Sequence, residues 1–182
     1  MRPKGGENGL YTDARSLFDA ARSAALECER TRRMLIAMEL RETGGGASDV
    51  KISRGSISDP MRKVDARLDK EALWGVRIEE NEQLMDYATS VLYGRDQDGK
   101  GGVSLLLGML YADVIWWHYL GCETWARTGD IVGYSPQRCK ALRDIAFDFV
   151  DGLGLANIID GKGIAEDEPP RAATSRCEPP EL

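Results

Sequence analysis

The stretch Glu123-Thr-Trp-Ala-Arg-Thr-Gly-Asp-Ile-Val-Gly-Tyr-Ser-Pro-Gln-Arg-Cys-Lys-Ala-Leu-Arg143 constrains the fold more tightly than any other part of this chain. Thr124 can cap a short helix that carries Trp125, Ile131 and Val132. Gly133 supplies a tight turn where positive φ is expected. Ser135 is a second N-cap, and Pro136 stands at the first helical position, where a missing N–H costs nothing. Gly129, four residues before Gly133, is expected where the second helix approaches the first closely and only a small side chain fits. Cys139 and Leu142 then face the core, which turns Gln137, Arg138, Lys140 and Ala141 outward.

Two capped helices joined by such a turn read as a helix-turn-helix, whose second helix can enter the major groove of DNA. The candidate DNA-contacting residues are Ser135, Gln137, Arg138, Lys140, Ala141 and Arg143. Charge along this helix is divided. Residues 135–143 hold Arg138, Lys140 and Arg143 with no acid, whereas 144–151 hold Asp144, Asp148 and Asp151 with no base. The basic half is the half that normally meets base edges.

Upstream, two long helices are expected. From Tyr11 to about Thr43, Leu17, Ala21, Ala24, Cys28, Thr31, Leu35 and Met38 recur at alternating steps of four and three, a heptad seam. A second helix opens at Ser58-Asp59-Pro60 and runs to about Tyr93. Met61, Val64, Leu68, Ala72, Gly75, Ile78 and Met85 lie on one face of it, interrupted by Glu79, Glu80 and Glu82. An antiparallel hairpin is the simplest arrangement. Its seam could serve a dimer, a docked protein or only itself. The Gly- and Ser-rich residues 44–58 read as a flexible linker, and 95–102 as a flexible hinge. Val103–Leu120 is the most apolar helix, with Leu105, Leu106, Met109, Leu110, Val114, Ile115, Trp117 and Leu120 as expected core. Gly152 and Gly154 end the last helix.

The expected fold is therefore all-α: a disordered leader 1–10, a coiled-coil-like helical hairpin over 11–94, a three-helix helix-turn-helix domain over 103–159, and an acidic, proline-rich tail over 160–182. The tail should be dispensable for folding.

The runs Trp116-Trp-His-Tyr-Leu-Gly-Cys-Glu-Thr-Trp125 and Val132-Gly-Tyr-Ser135 resemble the C-terminal, region-4-like domain of sigma factors. The closer likeness is to small phage and prophage proteins that carry this domain behind a long helical part. Ile57-Ser-Asp-Pro60 also resembles that group. The likeness spans about residues 13–152 and is strongest over 111–143. Where the group has an aliphatic residue this chain has Thr128, and where it has small acidic residues this chain has Ala126 and Arg127. The resemblance implies a transcription regulator that binds double-stranded DNA, touches the host RNA polymerase and works in the bacterial cytoplasm. A small terminase-like packaging subunit, or an interaction module with a degenerate motif, are the alternatives.

Other chemistry is poorly represented. The net charge of −6 argues against sequence-independent coating of nucleic acid. Cys28, Cys122, Cys139 and Cys177 are widely spaced and His118 is the sole histidine, so no metal site is expected and the cysteines read as free thiols. Asp96 and Asp98 sit in a glycine-rich loop that lacks calcium-loop spacing. No phosphate loop, nucleophile elbow or dinucleotide fingerprint occurs, so neither a cofactor nor an enzymatic activity is expected. Arg30, Arg32 and Arg33 read as a solvated face paired with Glu27 and Glu29. Trp116, Trp117, Tyr119 and Trp125 read as core rather than as a base-stacking platform. No apolar run is long enough to span a membrane, and residues 1–9 lack a signal-peptide core, so a cytosolic protein is expected.

Overall fold

The computed structural model describes residues 11–43, 60–95 and 100–162. The expected leader, the linker 44–58, the Asp96 and Asp98 loop, Cys177 and most of the acidic tail lie outside the described residues. Seven α-helices and no strand occur among the described residues: α1 (Ala14–Thr43), α2 (Pro60–Tyr93), α3 (Val103–Leu106), α4 (Met109–Ile115), α5 (Trp125–Val132), α6 (Pro136–Leu153) and α7 (Leu155–Ile159). None is long and apolar enough to cross a membrane.

Helices α1 and α2 pack antiparallel as a hairpin. The α1 seam lies where the heptad places it: Leu17, Ala21, Ala24 and Cys28 are buried, and Leu35 and Met38 half-buried. The Cys28 thiol donates to the Ile78 carbonyl (3.8 Å), and Arg77 with Glu27 and Arg32 with Glu82 form ion pairs across the hairpin. These contacts set the register. On α2 the expected face is correct at Ile78 and Met85 but wrong upstream, where Leu68, Ala72 and Gly75 are exposed. The inward stripe runs instead through Glu71, Trp74, Ile78, Asn81, Met85, Ala88 and Leu92. That stripe keeps strict steps of three and four; it shares Ile78 and Met85 with the expected one and lies one residue before it upstream, at Glu71 and Trp74 in place of Ala72 and Gly75.

Val103–Leu120 is not one helix. Gly108, at φ 110°, breaks it between α3 and α4, and leaves Leu105 and Met109 exposed rather than in the core. Beyond Ile115, residues Trp116–Leu120 widen into a π-helical turn closed by Gly121 N–H donating to the Trp116 carbonyl (2.8 Å). The extra residue in that turn swings Tyr119 into the core, where it is 3% exposed.

The hairpin and the C-terminal helices share one core. Leu17, Phe18 and Ala21 of α1 and Val91 and Leu92 of α2 cluster with Ile115, Tyr119, Phe147, Val150 and Ile158. Each of the Val, Leu, Ile and Phe side chains among them contributes about 1.5–3 kcal/mol on burial, so the base of the hairpin and the C-terminal helices stabilise each other. The acidic half of α6 makes this joint. Asp151 accepts the Ala14 N–H (2.6 Å) at the start of α1, beside the Asp13 cap on Ser16 N–H (2.6 Å). Asp144 accepts from Arg15 (3.0 Å). Carboxylates at a helix N-terminus meet the positive end of its dipole.

The expected hinge over 95–102 is a close backbone crossing in its described part. A Cβ on Gly101 or Gly102 would come within 3.0 Å of the Ile159 or Leu92 carbonyl oxygen, and Gly102 takes φ +87°. Gly102 N–H donates to the Ile158 carbonyl (2.8 Å). The fold also runs past the expected start of the tail: Asp160 pairs with Arg95 (2.7 Å), and Lys162 N–H donates to the Asn157 carbonyl (2.8 Å).

Candidate nucleic-acid interface

The helix pair α5–α6 forms as its sequence dictates. Thr124 accepts from Arg127 N–H (3.3 Å), and Ser135 accepts from Arg138 N–H (3.2 Å) with Pro136 next to it. Gly133 takes the left-handed conformation at φ 76°. Gly129 is buried, and its carbonyl accepts the Tyr134 N–H (2.9 Å). A Cβ there would fall within 3.0 Å of the Tyr134 carbonyl oxygen. The close approach is thus made by the turn itself, against the back of α5.

Cys139 and Leu142 are buried against Val114, with Leu110, Trp125 and Val132 packed around them. Their burial points Ser135, Gln137, Arg138, Lys140 and Ala141 into solvent, as the spacing requires. Neither Arg138 nor Lys140 forms an ion pair among the described residues. Arg143 departs from the expected set. Its side chain is 14% exposed, and its guanidinium lies 5.1 Å over the Trp125 ring and bonds Asp144 (2.7 Å). Burial works against the charge of Arg143, but the bonds to Asp144 and Tyr119 outweigh it and raise its pKa. The guanidinium is therefore bound inward and unavailable at the surface.

Thr128 is buried at 0% exposure, and its hydroxyl oxygen has no hydrogen-bond partner among the described residues. His118 stacks on Trp125 with centroids 3.6 Å apart, and its Nδ1 lies 2.8 Å from the Glu123 carbonyl. A carbonyl only accepts, so Nδ1 carries the proton. Burial, reinforced by Arg22, pushes the His118 pKa down to about 4. Arg22 of α1 also donates to the Cys122 (3.3 Å) and Glu123 (3.4 Å) carbonyls, which holds the entry to α5 in place. Cys122 there takes φ 55°.

Two exposed residues beside α6 escaped the sequence reading. Arg127, on the outer side of α5, forms no ion pair among the described residues, and Tyr134 at the turn is 46% exposed. Position gives the signal for Arg127: it precedes the buried Thr128–Gly129 pair, so it must point away from the core.

Cys28, Cys122 and Cys139 are free thiols, and no cluster of three or more metal-ligating side chains occurs among the described residues. The arrangement offers an exposed cationic helix end on a rigid support. No family model, curated protein or solved structure matches the chain.

Proposed function

We propose that this protein is a DNA-binding transcription regulator whose helix α6 enters the major groove by its N-terminal half. The supporting observation is the segregation along α6. Its first half carries Arg138 and Lys140, which form no ion pair among the described residues, on an exposed surface, while its acids are engaged at the α1 joint or lie farther along. In this reading Gln137, Arg138, Lys140 and Ala141 meet base edges, and Ser135 and Arg127 meet phosphates on either side. Arg143 supports the helix pair through Trp125 and does not touch DNA. The resemblance to sigma region 4 adds a phage or prophage setting, contact with the host RNA polymerase and a cytoplasmic location.

The test is selection of bound duplexes from a random library, followed by titration of the selected site against scrambled DNA at physiological salt. A preference of roughly 10³ or more is expected. Arg138→Ala should weaken the selected site by ~1–3 kcal/mol if it reads a guanine, or lower the salt slope by about one if it holds a phosphate. Its melting temperature should match the parent, whereas Arg143→Ala should lower the melting temperature. No binding to any duplex would sink the reading.

A further inference from the structure

Successive residues of an α-helix are turned by about 100°, so the outward face of α6 can be laid out from its buried side. Cys139, Leu142, Ala146 and Val150 are buried and mark that side. Opposite them, at steps of four, three and four, run Gln137, Ala141, Asp144 and Asp148 in a single stripe. Gln137, Ala141 and Asp148 are exposed, and Asp144 is half-buried. Arg138 and Lys140 flank this stripe, turned from Gln137 by about 100° to one side and about 60° to the other. The stripe therefore has a neutral front with a cation on either side, and an acidic rear.

In a major groove the two cations are drawn to the phosphate-lined edges from both sides, which turns Gln137 and Ala141 toward the floor. The rear is kept away. Asp144 is bonded by Arg15 and Arg143, but Asp148 forms no ion pair among the described residues and is repelled by phosphate. Readout along the stripe is thereby confined to Gln137 and Ala141. A glutamine amide donates through its NH2 and accepts through its oxygen, which matches N7 and N6–H of adenine; guanine offers two acceptors at the same edge. An alanine methyl makes only an apolar contact, and the apolar group on the groove floor is the C5-methyl of thymine. The two residues are separated by about 6 Å along the helix axis, the span of about two base-pair steps.

We infer, resting on the reading of α6 as the helix that enters the groove, that the duplex it selects has an A·T core. Gln137 bonds an adenine, and Ala141 packs on a thymine methyl within about two base pairs of it. Single-base replacement in the selected duplex tests this. Deoxyuridine in place of one thymine removes only the methyl group and should weaken binding of the parent by about fourfold. In place of one adenine, 7-deazaadenine lacks the N7 acceptor and should weaken it by about tenfold. Ala141→Ser should abolish the response to deoxyuridine, and Gln137→Ala the response to 7-deazaadenine. Both positions are exposed, so each variant should melt close to the parent. A selected site without an A·T pair at its core, or one indifferent to both replacements, would overturn the inference and leave DNA binding intact. Responses that persist unchanged in both variants would overturn the assignment to Gln137 and Ala141. Selection that returns no duplex would overturn the DNA-binding reading and this inference together.

Discussion

The Phe18 ring of α1 lies on the Phe147 ring of α6, with centroids 5.4 Å apart and planes within 8° of parallel. Both rings also lean on Tyr119, at 5.8 and 5.7 Å, which the π-helical turn delivers to the same place. Three parts of the chain, far apart in sequence, therefore meet in one aromatic cluster, which ties the base of the hairpin to the helix that carries the exposed cations.

Phe18→Ala should remove a fully buried ring from that cluster and cost about 3–5 kcal/mol. Because the core is shared, helical content and tryptophan fluorescence should melt in a single transition, at a lower temperature. Two separated transitions in the parent would show that the hairpin and the C-terminal helices fold independently.

Two helical glycines should respond in opposite directions to alanine. At Gly129 the new Cβ meets the fixed Tyr134 carbonyl, and the overpacking should cost on the order of 1–3 kcal/mol. At Gly152 in α6 nothing lies within 4 Å, so alanine should stabilise by roughly 0.5–1 kcal/mol through helix propensity. Urea titrations of both variants decide the matter; equal shifts of the same sign would refute the turn geometry.

Thr128→Val keeps the branched shape and removes the unpartnered hydroxyl. Leaving such a group buried costs about 1–3 kcal/mol, so the valine protein should unfold at higher denaturant by a corresponding amount. A loss of stability would mean that the hydroxyl is satisfied in solution.

Stability should fall as pH drops from neutrality toward about 4, in part through His118. Its charged form is disfavoured in the folded state, so the folded pKa lies below the ordinary 6.5. Between 6.5 and about 4 the unfolded chain binds the proton and the folded one does not. The contribution is complete above 6.5 and is lost on descent through that window. His118→Asn retains a donor toward the Glu123 carbonyl but does not titrate. Its denaturation midpoint should change less with pH across that interval than the parent's does.

The capped pair α5–α6 was legible residue by residue, because caps, a left-handed glycine and N1 proline act locally. So was the α1 seam, where small residues keep to one stripe. The α2 face was misread because that helix carries apolar residues on more than one side. Leu68 and Ala72 continue the spacing of Ile78 and Met85 almost as well as Trp74 does, and only the packing partner decides. The break at Gly108 and the π-helical turn were hidden by an unbroken apolar run, which reports burial and not continuity of hydrogen bonds. Gly101 and Gly102 look like flexibility in a sequence, yet the same missing Cβ permits backbone contact. Arg143 was placed outward by its charge, but the Trp125 ring and Asp144 make an inward site for it.

Asp144 and Asp151 hold the first turn of α1 on the rear half of α6, while Arg22, two turns further along α1, holds the loop that launches α5. The hairpin therefore works as a handle fixed at two points. Because the two points lie on α1 two turns apart, α1 cannot rotate about its own axis without displacing both α5 and α6.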